Sequence, residues 1–291
     1  MNKFLLYIFF TGYSIFYLQA QEINTLYTTK DSILTESLLK QFTNKRSLSS
    51  VEKQVVQIGN LFIGTPYVSK TLEKKGKEQL VVNLREMDCT TFVETVLALA
   101  RTAVKKQSTW DEYCRQLTAL RYRNGKIDGY LSRLHYFSDW IANNEQKGFV
   151  TDITQISGGV PDTLQLHFMS RNADRYPALQ RNATLVDGIA AQERSLNGKI
   201  IYYLPTFRLD SASLATIQSG DIIAFTTDIP GLDIAHVGIA IQNNGEVRLI
   251  HASSSQGRVI VENRSILQQL KDNKKFSGIR IIRPQNFESR K

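Results

Sequence analysis

Apolar residues recur at helical spacing up to about residue 104 and at strand spacing from about residue 199. This one change of period constrains the fold more than any other feature of the chain. In the first part, Ile33, Leu34, Leu38 and Phe42 predict a helix over residues 31–42. Val51, Val55, Ile58 and Phe62 predict a second, opened by the capping box Ser49-x-x-Glu52 and stopped by Gly64-Thr65-Pro66. Residues 80–84 read as a short extended lead-in. From Asp88, a natural N-cap residue, the positions Phe92, Val93, Val96, Leu97, Ala100 and Val104 describe a helix with a broad buried face. The last part breaks into short runs at 201–204, 221–225, 235–241, 247–251, 259–261 and 279–282. Gly and Asn turns separate most of them, with a helix near 265–270. Segregated helices and strands predict an α+β fold whose C-terminal part is an antiparallel, barrel-like sheet.

Between these parts, residues from about 105 to 198 hold helical stretches near 109–121, 134–144 and 161–170, separated by turns and free of repeats. They read as a helical and loop-rich insertion in one catalytic domain over 21–291. That domain has a helical half at 31–104 and a strand-rich half at about 199–291. The N-terminus is of another kind. A cationic start at Lys3, an apolar run from Phe4 to Leu18 and the small Ala20 form a secretory signal pattern, with cleavage expected near Ala20 and Gln21. The run is short for a membrane span, so a chain without a span, in the periplasm or secreted, is expected, as a monomer. The net charge of +9 is dispersed and forms no stripe interleaved with aromatics, which argues against a nucleic-acid partner. A cationic surface suits an anionic extracellular polymer or its fragments.

Two cysteines are too few for a disulfide framework. Cys114 lies at helical spacing with Trp110, Tyr113, Leu117 and Leu120 and reads as a small buried apolar residue. Cys89 is placed differently. In Asp88-Cys89-Thr90-Thr91-Phe92 it stands on the first turn of an apolar helix, where backbone N–H groups and the helix dipole favour a thiolate. His236 and His251 stand on two runs joined through Asn243-Asn244-Gly245, and Asn244-Gly245 is a type I′ hairpin signal. A two-residue loop pairs Asn243 with Glu246 and sets His251 opposite Gly238. The two histidines are then diagonal neighbours on one face. Gly238 leaves room beside His251, and Gly238 with Ala240 predicts that the Cys89 helix packs on that same face. Cys89 as nucleophile, His236 as base and His251 as its orienting partner follow from the residue types. The same three could hold zinc, but no metal-ligand spacing supports that, so no metal or cofactor is expected. Neither a Gly-x-Ser-x-Gly elbow nor a phosphate-binding glycine loop is present.

Four stretches in order resemble the NlpC-type papain-like cell-wall hydrolases: Gly64-Thr65-Pro66-Tyr67, Asp88-Cys89-Thr90-Thr91-Phe92, Gly220-Asp221-Ile222-Ile223-Ala224-Phe225 with His236-Val237-Gly238-Ile239, and His251-Ala252. The resemblance implies a papain-like core and places Tyr67 beside the nucleophile. Thr90-Thr91 stands where the family usually has Ser-Gly, and Ser69-Lys70 where Gly-Gly often follows the Pro-Tyr segment. With the string Ser132-Arg133-Leu134-His135-Tyr136-Phe137-Ser138-Asp139-Trp140, these departures resemble the N-acetylmuramoyl-L-alanine amidase branch. That branch implies peptidoglycan fragments (soluble anhydro-muropeptides) as substrates, cut between the muramyl lactyl group and L-alanine. Arg133, His135 and Tyr136 are candidate substrate contacts, since cationic, imidazole and aromatic groups suit a sugar and a carboxylate. A plain amphipathic helix with Leu134, Phe137 and Ile141 buried explains the same string. Asp88 reads as a cap first and a substrate contact second. An endopeptidase cutting within the stem peptide, a non-catalytic wall-binding module and an acyltransferase are the other readings.

Overall fold

The computed structural model describes residues 23–43, 50–105, 108–243 and 245–286. The signal pattern at 1–20, Ser49 and the turn residue Asn244 lie outside the described residues.

Strand β1 (Thr25–Leu26) leads to helices α1 (Thr29–Thr43) and α2 (Val51–Leu61). A short strand β2 (Leu80–Val81) pairs in parallel with β1, and α3 (Cys89–Ala103), α4 (Trp110–Arg121) and α5 (Phe137–Gln146) follow. Then come β3 (Val150–Asp152), β4 (Val160–Thr163), α6 (Phe168–Arg171), α7 (Ala183–Leu196), β5 (Ile200–Pro205) and α8 (Ser211–Ala215). The chain continues through β6 (Ile222–Thr227), β7 (Ile234–Asn243), β8 (Glu246–Ser253), β9 (Arg258–Val261), α9 (Ile266–Asp272) and β10 (Phe276–Pro284).

Helix α3 occupies the centre. Every residue from Thr91 to Ala103 is buried, because α1, α2 and α4 cover one side and the β7/β8 face the other. A helix buried all round must hide its charges in pairs. Glu94 does so, accepting from Arg121 Nε at 2.7 Å, while Arg121 Nη1 donates to the Val81 carbonyl at 2.6 Å. In α1, Ile33 and Leu34 are exposed, whereas Asp31 and Thr35 are buried. Asp31 turns the helix inward because its carboxylate accepts from the Leu84 N–H, Thr28 and Arg85. In α2, the Val51 N–H donates to Asn286 Oδ1 at 2.8 Å, so this helix start is satisfied from the far end of the chain.

The main sheet is antiparallel and runs β4-β5-β10-β6-β7-β8-β9, with β3 on β10. It is open, which corrects the barrel-like expectation. The outer edge of β9 is taken by residues 64–67 instead of by β4. Gly64 N–H donates to the Val259 carbonyl, Val259 N–H to the Thr65 carbonyl, and Pro66 bridges Arg258. An edge strand covered in this way is screened from pairing with a further strand.

The middle region differs from a helical insertion in content. Residues 160–163 form β4 against β5, so the helix expected at 161–170 shrinks to Phe168–Arg171. Pro161 is tolerated because β4 is an edge strand. Residues 134–136 are not helical: the Leu134 N–H bonds the Arg121 carbonyl, and α5 begins at Phe137. Helix α7 was not anticipated, since only Ile189, Glu193 and Leu196 of it are buried. These segments carry a satellite core that includes Tyr136, Leu166, Met169, Leu179 and Ile189.

Arg121→Met should leave the Glu94 carboxylate buried without its partner and cost about 3–5 kcal/mol in denaturant unfolding. A loss under about 1 kcal/mol would mean the pair does not hold α3 against α4.

Candidate active site

Asp88 starts α3 by a complete capping box. Its Oδ1 accepts from the Thr91 N–H at 2.8 Å, and its own N–H donates to Thr91 Oγ1 at 2.9 Å. Thr91, one of the two departures after the cysteine, is thus the reciprocal half of the cap. The next residue, Cys89, is half-buried and unpaired with Cys114, which is buried in α4.

Strands β7 and β8 pair Asn243 with Glu246, Ala240 with Leu249 and Ile239 with Ile250, the register the Asn-Gly turn requires. His251 therefore falls opposite Gly238. A Cβ at Gly238 would stand 3.0 Å from His251 Cβ, so glycine is what admits the imidazole. Both rings lie on one face, with His236 Nε2 2.6 Å from His251 Nδ1 and the ring planes crossed at 82°. Helix α3 packs on the opposite face, against Val237, Ile239, Ile250 and Ala252. The expectation that it covers Gly238 and Ala240 is corrected: Ala240 packs with Leu249 and Ile266 of the second core.

The start of α3 still reaches the histidine strand. Ala240 bonds back to Asp221 and Gly220, so by alternation Val237 points its N–H toward β8, where paired residues run only as far as Ile239 and Ile250. That N–H is directed at the Cys89 sulfur and favours its thiolate, as do the Thr90 N–H and hydroxyl. They are outweighed. Burial, with Asp88 adding negative charge, pushes the thiol up to about 11. Burial and then the neighbouring ring push His236 down to about 3, and burial pushes His251 down to about 4 against the pull of Glu262. Desolvation thus opposes the thiolate that the helix start favours.

Tyr67 joins the group. Its hydroxyl is pushed up to about 12 by burial and by Cys89 and Asp88. Its backbone is fixed on both sides, through Tyr67 N–H to Gly257 and a parallel bridge to Met87. Lys70, three residues on, has φ +59° where the resembled pattern carries glycine. Its ammonium donates to the Arg175 carbonyl at 2.9 Å. On the other flank, the His167 and Phe168 N–H groups bond the Gly231 carbonyl, and a Cβ at Gly231 (φ +79°) would fall 2.6 Å from the His167 ring. The segment from His167 to Arg175 thus spans from the loop before His236 to the loop after Tyr67.

The other proposed substrate contacts are engaged elsewhere. Arg133 is buried and bonds Glu78 and Glu73 at 2.8–2.9 Å. Burial opposes its charge, but these carboxylates hold its pKa above the ordinary value. His135 Nε2 meets the Tyr130 carbonyl at 2.9 Å, and burial pushes the ring down to about 3. Tyr136 donates to Glu193 at 2.6 Å and accepts from the Met169 N–H. Arg133 thus ties the middle region to residues 73–78, and His135 and Tyr136 bond within the middle region.

A cleft of about 410 Å³ opens beside the histidines, lined by His236, His251, Ser253, Glu262, Arg264 and Lys275 among others. Glu262, missed by sequence reasoning, has Oε2 3.7 Å from His251 Nε2. The β8–β9 register could have located it, since it follows from the turn before Arg258. Among the described residues, no cluster of three or more His, Cys, Asp or Glu suits a metal ion. No described helix is long and apolar enough to cross a membrane.

The family model described as AmiA-like, N-acetylmuramoyl-L-alanine amidase-like, matches residues 57–279. An N-acetylmuramoyl-L-alanine amidase from Bacteroides uniformis superimposes with a TM-score of 0.78 at 41% identity, over 81% of this chain and 100% of its own. A protein described as a putative xylanase from Bacteroides fragilis gives 0.74 at 43% identity, over 78% and 99%. A Legionella pneumophila protein at 22% identity shares the fold, with a TM-score of 0.66 over 87% and 95%. No curated protein matches the chain. Because the matched span carries the capped cysteine helix and both histidine strands together, the chain belongs to the AmiA-like, N-acetylmuramoyl-L-alanine amidase-like family.

Proposed function

We propose that the protein is a cysteine-dependent N-acetylmuramoyl-L-alanine amidase of papain-like, NlpC type, acting on peptidoglycan fragments whose muramic acid is the 1,6-anhydro form. One observation carries the reading: the Cys89 sulfur lies at the N–H of Val237, next in sequence to a histidine whose far ring nitrogen is held at 2.6 Å by His251. The family supports amide cleavage, and the cysteine mechanism is our own step. In it, His236 Nδ1 takes the Sγ proton as sulfur adds to the lactyl carbonyl. The Cys89 backbone N–H, at the open start of α3, stabilises the oxyanion. Collapse breaks the C–N bond, and His236 returns the proton to the departing L-alanine amine. Water then adds to the thioester with His236 again as base, releasing the lactyl carboxylate and the thiol. The name of the Bacteroides fragilis relative suggests glycoside hydrolysis, which needs two facing carboxylates. Among the described residues lining the cleft at His236, only Glu262 is acidic. The N-terminal signal pattern supports a secreted or periplasmic protein, to be checked by N-terminal sequencing of exported material.

Mass spectrometry of digested anhydro-muropeptides should find free stem peptide and peptide-free sugar. Dipeptide left on the sugar would instead identify an endopeptidase, and unchanged material a binding module. Cys89→Ala should remove turnover by on the order of 10⁶ in kcat, and His251→Ala should cost less, because it moves no proton to substrate. Equal losses in single-turnover assays would sink that division of roles.

The pH profile follows from burial. The base works when neutral, and a lowered pKa keeps it neutral as pH falls, so activity is lost only as pH drops through the folded value. The acid limb of kcat/KM is expected below pH ~5 and not near the ordinary histidine value of about 6.5. An acid limb near 6.5 would show that the imidazole is not desolvated in the working enzyme.

A further inference from the structure

The proposed mechanism leaves one buried charge beside the histidines unused. Glu262 follows β9 directly and is 8% exposed. Arg264 holds its carboxylate: Nη2 donates to Oε2 at 2.9 Å, and the backbone N–H and Nε each reach Oε1 at 3.2 Å. This grip keeps the Glu262 pKa below the usual carboxylate range. Its position is a consequence of register. His251 pairs with Ile260, and the Glu262 N–H bonds the Leu249 carbonyl, so Glu262 is the diagonal neighbour of His251 across β8 and β9. His236 bears the same relation to His251 across β7 and β8. The three side chains form one diagonal over adjacent strands.

His251 Nε2 is buried and has no hydrogen-bond partner among the described residues; the Glu262 oxygen at 3.7 Å is the acidic group that faces it. Two tautomers of His251 compete. With the proton on Nδ1, the ring would donate to His236 and turn the Nε2 lone pair onto a carboxylate. With the proton on Nε2, an N–H faces that carboxylate, and a carboxylate can only accept. The second arrangement wins on charge alone. Nδ1 of His251 must then accept across the 2.6 Å contact, so His236 Nε2 must donate. The Nδ1 lone pair of His236 is left free.

Resting on the cysteine mechanism proposed above, we infer that Glu262 is a positioning residue. It sets the tautomers of His251 and His236 together, so that His236 presents an unprotonated Nδ1 as the base. No proton passes along the diagonal. When His236 takes the Sγ proton it becomes an imidazolium, its Nε2–H bond to His251 strengthens, and the Glu262 charge stabilises the far end of the pair.

The test uses the full chain and two variants, Glu262→Gln and Glu262→Met. Glu262→Gln keeps the shape and removes the charge. With muropeptide substrate, kcat should fall about 10- to 100-fold, as for other groups that orient a reactive ligand from behind, with KM and thermal midpoint little changed. Nitrogen-15 NMR of the histidine rings, recorded without substrate, should find both wild-type rings protonated at Nε2. In Glu262→Gln, whose amide can donate as well as accept, the His251 signal should shift toward Nδ1 protonation. If Glu262→Met does not fold, Glu262→Gln and the wild-type spectrum still decide. An Nδ1-protonated His251 in the wild type, or an unchanged kcat in an active Glu262→Gln, overturns the inference. Absence of amidase activity in the wild type would overturn the proposed function instead, while the ring spectra would still decide the tautomer claim.

Discussion

The contact that everything else in this protein depends on is between the first turn of α3 and the backbone of β7. A strand inside a sheet normally spends its N–H groups on its neighbours. Here the ladder between β7 and β8 is formed as far as Ile239 and Ile250, and the N–H of Val237, farther toward the histidine end, is turned to the Cys89 sulfur. The Cys89 sulfur is thereby tied to the backbone of a residue next to His236. The Asp88–Thr91 capping box fixes the other side of this contact, because it decides at which residue α3 begins. The buried ion pair of Glu94 and Arg121 then holds the helix body in place.

That arrangement has an electrostatic consequence. Burial of the Cys89 thiol and of the two imidazoles favours the uncharged form of each group. Arg264 holds the Glu262 pKa below the usual carboxylate range, which leaves a negative charge beside His251.

The middle region gives this site its surroundings. It contributes β3 and β4 to the main sheet and a satellite core of its own. Its segment from His167 to Arg175 is fastened to the Gly231 loop at one end and to Lys70 at the other. Both anchor points lie within a few residues of a site group, His236 in one case and Tyr67 in the other. Asp233 adds a third tie, accepting from the Ser138 N–H at the start of α5 at 2.6 Å. These three ties are to backbone groups of the region, and side-chain pairs of Arg133 with Glu73 and Glu78 and of Arg280 with Asp152 add to them.

What the sequence determined by itself is what short-range rules govern. The Asn-Gly turn and the two-residue strand period placed His236 and His251 on one face, and Asp88 marked the start of the cysteine helix, because each depends on residues only a few positions apart. Tertiary structure decided the rest. The face that α3 covers, the open sheet edge filled by residues 64–67, and the cap of α2 supplied by Asn286 each depend on partners far along the chain. Arg133, His135 and Tyr136 carried the composition of a binding string, yet Glu73, Glu78, Tyr130 and Glu193 satisfy them internally. The push on the Cys89 thiol is also of this kind: a helix start favours the thiolate locally, whereas the burial that raises the thiol pKa is a property of the whole packed junction.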